Sequence, residues 1–368
     1  MKRTLVMLSF FVIVSLACSA GGLIPAATQV PMPIDAPAPT PATKPVDSGA
    51  AGSPKLLFTI GMHIEPFGQT AQGFTGNSSA NYNMEAFYNR HIEDIQAVAA
   101  IVEAHGGRMT IQAQSPFTTM TIHTQNPILA DLAARGHELA LHFHEDAHLG
   151  KQSATLPIDQ WCGALKQEMD LIVQSSTPAQ GGRVTKVRYW SGGNVYTNLF
   201  QAAACAGLDV NSDWKNPKTQ STDLHLVGVN PWRPAGGTNG IDFTAFARHD
   251  PNGAVVFLPE GQFDQADFAS MRRSDNAGGD KEYFEYLKTQ FYASLKASRT
   301  GKVNVFHFTV HPGEFRGDPA HPFAVIDEFL SEVVDPAAAA GLVQWATFSE
   351  MADAYSAWEQ ANPGIDPR

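Results

Sequence analysis

The chain has 368 residues, 43% of them hydrophobic, which is enough to bury a sizeable core in one large domain or two modest ones. Against 36 acidic residues it sets only 25 basic ones, for a net charge of −11. That balance argues against a nucleic-acid-binding surface, which requires a basic stripe.

Residues 1–18 read as a targeting segment. Lys2 and Arg3 form a basic start, Leu5 to Leu16 is an almost unbroken apolar run, and small residues precede Cys18. Ser15-Leu16-Ala17-Cys18 resembles the lipobox of bacterial lipoproteins, with Ser where Leu is more usual. An ordinary secretory signal and an uncleaved anchor are the other readings. The lipobox implies an exported protein of the cell envelope (outer membrane, periplasm or cell surface) that meets a membrane only through an N-terminal lipid. Residues 19–53 are mostly Ala, Pro, Thr and Gly. Such a segment buries too little apolar surface to offset the entropy of ordering, so it is expected to be a disordered tether.

Residues 54–368 are expected to form one domain. Lys55 to Met62 suits a buried strand, and it ends in His63-Ile64-Glu65-Pro66. On an extended backbone His63 and Glu65 point the same way, and Pro66 stops the strand. Met84, Phe87, Tyr88, His91, Ile95, Val98 and Val102 recur at helical spacing until Gly106-Gly107. Arg108 to Ala113 reads as a strand and Pro127 to Ala134 as a short helix. Leu139 to Leu141 then forms a buried strand that leads into His142, His144 and His148.

The same alternation continues to the end of the chain. Helices are expected at Ile158–Val173, Thr197–Ala206, Glu282–Ala297, Phe323–Val334 and Ser349–Trp358. Strands are expected at Thr185–Trp190, from Leu208 toward Asp213-Trp214, and at Ala254–Pro259, Val303–Val310 and Leu342–Thr347. Strand and helix alternate without a second linker, which predicts a single α/β domain with parallel strands, a barrel or an incomplete barrel. Cys162 and Cys205 lie in predicted helices; they could pair or remain separate buried thiols.

Polar residues gather at four strand ends: His63/Glu65, His142 to His148, Arg188 to Gly193, and His307/His311-Pro312. The C-terminal ends of parallel barrel strands are where such folds place their chemistry. Three imidazoles within seven residues suit zinc or a similar divalent ion. His91, His105, His123, His225, His249 and His321 are read as structural.

In this order the stretches resemble the polysaccharide deacetylase family, the NodB-type or carbohydrate esterase family 4 domain. Gly136-His137-Glu138-Leu139 is similar to the family's Gly-His-Glu-Ile. Arg188 to Gly193 is similar to its Arg-x-Pro-x-Gly, with Trp190 in the proline position, and His311-Pro312 is similar to its late histidine motif. The resemblance implies a distorted or incomplete (β/α) barrel of the NodB type in one domain. It also implies metal-dependent removal of N- or O-acetyl groups from a polysaccharide, with zinc the first candidate ion.

Carried over by position, His142 is a metal ligand, Glu65 a second, and His148 a third, with His144 as the alternate. His63 stands where the family has its base aspartate, His311 is the acid, Arg188 orients the base, and Asp213 belongs to the catalytic set. Trp190 and Trp214 are candidates for stacking on sugar faces. Two further readings stay open. One is a glycoside hydrolase using paired carboxylates among Glu65, Asp213 and Glu260. The other is a non-catalytic carbohydrate- or metal-binding lipoprotein derived from a deacetylase, which the His63 substitution favours.

Overall fold

Strand β1, Leu56–His63, is buried along its entire length because both of its faces are covered. It pairs in parallel with β7 (Asn304–Val310) along one edge. Along the other edge it pairs first with β8 (Val343–Trp345), through Leu56 to Phe58, and then with β2 (Thr110–Ala113), through Gly61 to His63. Beyond β2 follow β3 (Glu138–His142), β4 (Tyr189–Ser191), β5 (Val210–Asn211) and β6 (Val256–Phe257), all parallel. The sheet curls into an incomplete barrel. Among the described residues no strand ladder joins β6 to β7. Irregular backbone spans that side instead, with Val305 N donating to Val229 O at 2.7 Å and His307 N to Glu260 O at 3.1 Å.

This computed structural model describes residues 54–64, 82, 84–150, 152–177, 186–192, 199–212, 226–235, 243–262, 279–315 and 320–368, all within the unit Thr40–Arg368. The expected signal segment and tether at 1–53 lie outside the described residues. No described helix is long and apolar enough to cross a membrane.

The two-residue period of the strands sorts their side chains into two cores. Leu56, Phe58, Ile60 and Met62 of β1, with Phe306, Phe308 and Val310 of β7, pack outward against the helices. These include α1 (Glu85–Ala104), α2 (Phe117–Thr124), α3 (Ile128–Ala134), α4 (Glu145–His148), α5 (Ile158–Ser175) and α6 (Leu199–Ala206). After α7 (Phe243–Phe246) come α8 (Gly279–Ala297), α9 (Ala324–Phe329) and α10 (Asp335–Ala339). The alternate residues Leu57, Ala140, Tyr189, Val210, Val256 and Val305 join Phe348 and Met351 of α11 (Phe348–Ala361) in a second core. Phe348 stacks on Tyr189 with ring centroids 4.1 Å apart. Thr347 and Glu350 begin α11 with a reciprocal capping box, which fixes where that helix starts.

The fold is the expected α/β barrel, with three helices the sequence did not announce, α2, α4 and α7. The expected helix over Phe323–Val334 is instead α9, a π turn at Leu330–Val334, and α10. Pro336 in the first turn of α10 has no N–H to donate, so the helical ladder changes there. His105 at the end of α1 bonds Asp335 at 2.7 Å and Asp327 at 2.9 Å, tying that helix to α9 and α10. Cys162 of α5 and Cys205 of α6 are joined as a disulfide.

Candidate active site

The inward positions that end the strands are polar. Register pairs His63 of β1 with Gln112 of β2 and Gln112 with Ala140 of β3, and two residues further along β3 it pairs His142 with Ser191 of β4. The His63 ring stacks on His142 at 4.1 Å between centroids, and His311, one residue past β7, meets His63 edge-on at 5.2 Å. His142 Nδ1 lies 2.8 Å from Ser191 Oγ, and His63 Nε2 lies 3.1 Å from the same oxygen. Ser191 Oγ also donates to Gln112 Oε1. On the other side of its ring, His142 Nε2 is 2.9 Å from His144 Nε2. Glu314, itself buried, accepts from His311 Nδ1 at 3.0 Å and from its backbone N at 2.8 Å.

Of the two candidate partners for His142, the structure brings in His144 rather than the preferred His148. His148 lies a helical turn further on, in α4. Its Nε2 is 2.7 Å from Gln114 Oε1 and its Nδ1 is 3.4 Å from Glu168, while its ring stacks on Phe143. Trp190 is not a sugar platform: it is 1% exposed and packed outward in the larger core, because it alternates with the inward Tyr189 and Ser191. Arg188 is not brought to the histidines. It precedes β4, where Asp209 and Asp353 hold its guanidinium at 3.0 and 2.8 Å and raise its already high pKa against the opposing effect of burial. Glu65, Asp213 and Trp214 lie outside the described residues.

The first half of the Gly-His-Glu stretch is structural. His137 accepts from Met109 N at 3.0 Å and meets Glu103 at 2.7 Å, with burial pulling its pKa down. Glu138 is bonded to Thr110 and Ser349, and its burial pushes its pKa up against those bonds.

The sequence matches no family model and no curated protein sequence. Its structure is similar to solved structures of proteins named as polysaccharide deacetylases. One, from Mycobacterium smegmatis, has TM-score 0.52 at 13% identity, covering 86% of this chain and 96% of that one. Another, from Pseudomonas aeruginosa PAO1, has TM-score 0.54 at 14% identity, covering 85% and 94%. Puue allantoinase is similar as well, with TM-score 0.55 at 14% identity, covering 90% of this chain and all of that one. The fold is that of the polysaccharide deacetylases. At these identities the likeness concerns the polysaccharide deacetylase fold alone, so the chemistry of the site rests on this chain's own side chains.

Two contributors to the site, Gln112 and Glu314, were not singled out from the sequence, and Ser191 and Gly192 lay within the stretch Arg188 to Gly193 without a role of their own. For Gln112 a signal did exist, since a polar residue inside the apolar run Met109 to Ala113 implies a buried partner. Gly192 has φ +81, and a Cβ there would stand 2.6 Å from His142 Cε1. Gly61 likewise leaves room for the Gln112 amide, whose Nε2 would lie 2.3 Å from a Cβ.

Among the described residues no three His, Cys, Asp or Glu side chains are grouped so as to hold a metal ion. The donor chemistry that is present does suit one. The Nε2 atoms of His142 and His144 are close enough to share an ion at ~2.1 Å from each.

Proposed function

We propose that the protein is an exported, lipid-anchored, metal-dependent hydrolase that removes N- or O-acetyl groups from an acetylated amino-sugar polymer. The observation that carries this reading is the meeting of His63, His142, His144 and His311 at the C-terminal strand ends of a polysaccharide deacetylase fold. In such barrels that end of the sheet is the catalytic one.

His142 and His144 would hold a divalent ion, with zinc favoured by imidazole donors, and Glu65 would supply the third ligand. Such an ion supplies Lewis acidity, lowering the pKa of a water toward ~7 and polarising the acetyl carbonyl. His63, where an aspartate would be usual, takes the proton of the attacking water on its ring. Backbone N–H groups after Trp190 lie at the same strand end and would receive the charge that develops on the carbonyl oxygen. Glu314 accepts from both Nδ1 and the backbone N of His311 and so fixes its ring, and His311 would give a proton from Nε2 to the departing amine or alcohol. Trp214 remains the aromatic candidate for a sugar face.

The test is acetate release from acetylated glucosamine oligomers by the full-length protein. The wild type should release acetate, and His311→Ala and His63→Ala should each lower the rate about 100-fold or more, the usual worth of a proton-transfer group. Zinc binding without acetate release would instead favour a non-catalytic binding protein. Release that survives His311→Ala would remove the acid assigned here.

A further inference from the structure

We infer that His105 is a pH-sensitive clamp: as a doubly protonated imidazolium it bridges Asp327 and Asp335 and ties the end of α1 to the helical run from α9 to α10. His105 Nδ1 lies 2.7 Å from Asp335 Oδ2, and His105 Nε2 lies 2.9 Å from Asp327 Oδ1. An ionised carboxylate only accepts, so both ring nitrogens must donate, and a neutral imidazole has a single N–H. The added proton belongs on the ring, because an ordinary imidazole is far more basic than an ordinary carboxylate. The clamp sits between the end of α1 and the start of β2, away from the strand ends that carry the candidate site, and does not rest on the hydrolase reading.

The helical run is shaped to present both carboxylates to one ring. In a regular α-helix, positions eight apart point about 80° away from each other, whereas positions seven apart agree to within roughly 20°. The π turn at Leu330–Val334 takes in an extra residue between Asp327 and Asp335, which returns the two to one face. His105 is also the C-cap of α1, where the partial negative charge of the last carbonyls favours a cation. Other charged groups nearby are committed elsewhere: Glu103 to Arg135 and His137, and Arg108 to Glu350. Glu328 and Glu332, on the same helical run, are exposed. The imidazole is 10% exposed, and burial opposes its charge, but the bonds to Asp327 and Asp335 outweigh burial and hold its pKa above the ordinary 6.5. A histidine whose pKa is raised by folding contributes stability that is full below 6.5 and lost as pH rises through the folded value. Above that value one of the two bonds has no proton, and the run is released from α1 while Ile326 and Phe329 stay in the core.

The experiment is a pH titration of the full-length protein by ¹⁵N-histidine NMR, with His105 assigned from His105→Gln, beside hydrogen exchange of the backbone amides at 324–339. Wild-type His105 should titrate with a midpoint above 6.5. Asp327→Asn and Asp335→Asn, at partly exposed side chains that the fold can exchange, should each move that midpoint down. Opening of 324–339, read from exchange corrected for its intrinsic pH dependence, should increase by up to about tenfold per pH unit between 6.5 and the His105 midpoint and then level off. His105→Gln, which takes up no proton, should lack that increase. A midpoint at or below 6.5, a midpoint unmoved by both asparagine variants, or an increase in opening that survives His105→Gln would overturn the inference.

Discussion

The Nε2 atoms of His142 and His144 lie 2.9 Å apart, although only Phe143 separates the two residues in sequence. The contact is possible because His142 ends β3 while His144 keeps an extended backbone, φ −99 and ψ 108, as the residue before α4. His148, one turn later, is carried away to Gln114 and Glu168. Spacing within the histidine stretch left the pair ambiguous, and the start of a four-residue helix puts His144, not His148, beside His142.

Gly192 should prove as sensitive as a histidine. Any side chain there must adopt a left-handed backbone at φ +81, at a cost of roughly 1–2 kcal/mol, and its Cβ would press on His142. Gly192→Ala should therefore lower the urea midpoint modestly but reduce acetate release about 100-fold, as small misplacements of reacting groups do. Equal rates for variant and wild type would mean that His142 is not held by this contact.

Trp190 should behave as a core residue. Trp190→Ala should cost about 3–5 kcal/mol of stability, the usual range for emptying such a site. Trp190→Phe should leave KM for acetylated oligomers unchanged. A rise in KM without loss of stability would return Trp190 to the sugar-binding surface.

Asp94 of α1 should give stability a pH dependence. Burial raises its pKa to about 7, against the opposing bond from Gly313 N at 2.7 Å and the nearby Arg90. The folded value lies above the ordinary 3.8, so between those two pH values the folded state holds the proton more tightly. The contribution is full below pH 3.8, declines as pH rises, and is gone above about 7. Asp94→Asn lacks this titration. The difference in unfolding free energy, wild type minus variant, should fall with pH across that window by up to about 1.4 kcal/mol per unit. A flat difference would show that Asp94 is not titrating in the folded protein. Gly313 sits two residues from His311, so the same carboxyl braces the loop that carries the proposed acid.

Much of the fold was legible in the sequence because the barrel strands are apolar runs and the helices carry clear periodicity. Leu56–His63, Glu85–Ala104 and Asn304–Val310 fall within a few residues of expectation. The elements missed are short: α4 has four residues, too few for any periodic signal. Around the site, sequence pointed to the strand ends but not to which side chains meet there. Trp190 and Ser191 are adjacent, and only the pleat of β4 sends one outward into the core and the other inward to the histidines. Arg188 had the family's order in its favour, yet Asp209 and Asp353, distant in sequence, claim its guanidinium. The Ser191–Gln112 contact joins residues 79 apart and has no local signature.

The most direct test of the site is zinc stoichiometry in the full-length protein and in His142→Ala, His144→Ala and His148→Ala. The wild type should hold about one ion per chain; the first two variants should lose it and His148→Ala should keep it. Loss in His148→Ala with retention in His144→Ala would contradict the ligand pair drawn from the geometry. Absence of zinc from the wild type after reconstitution would contradict the metal-dependent site itself.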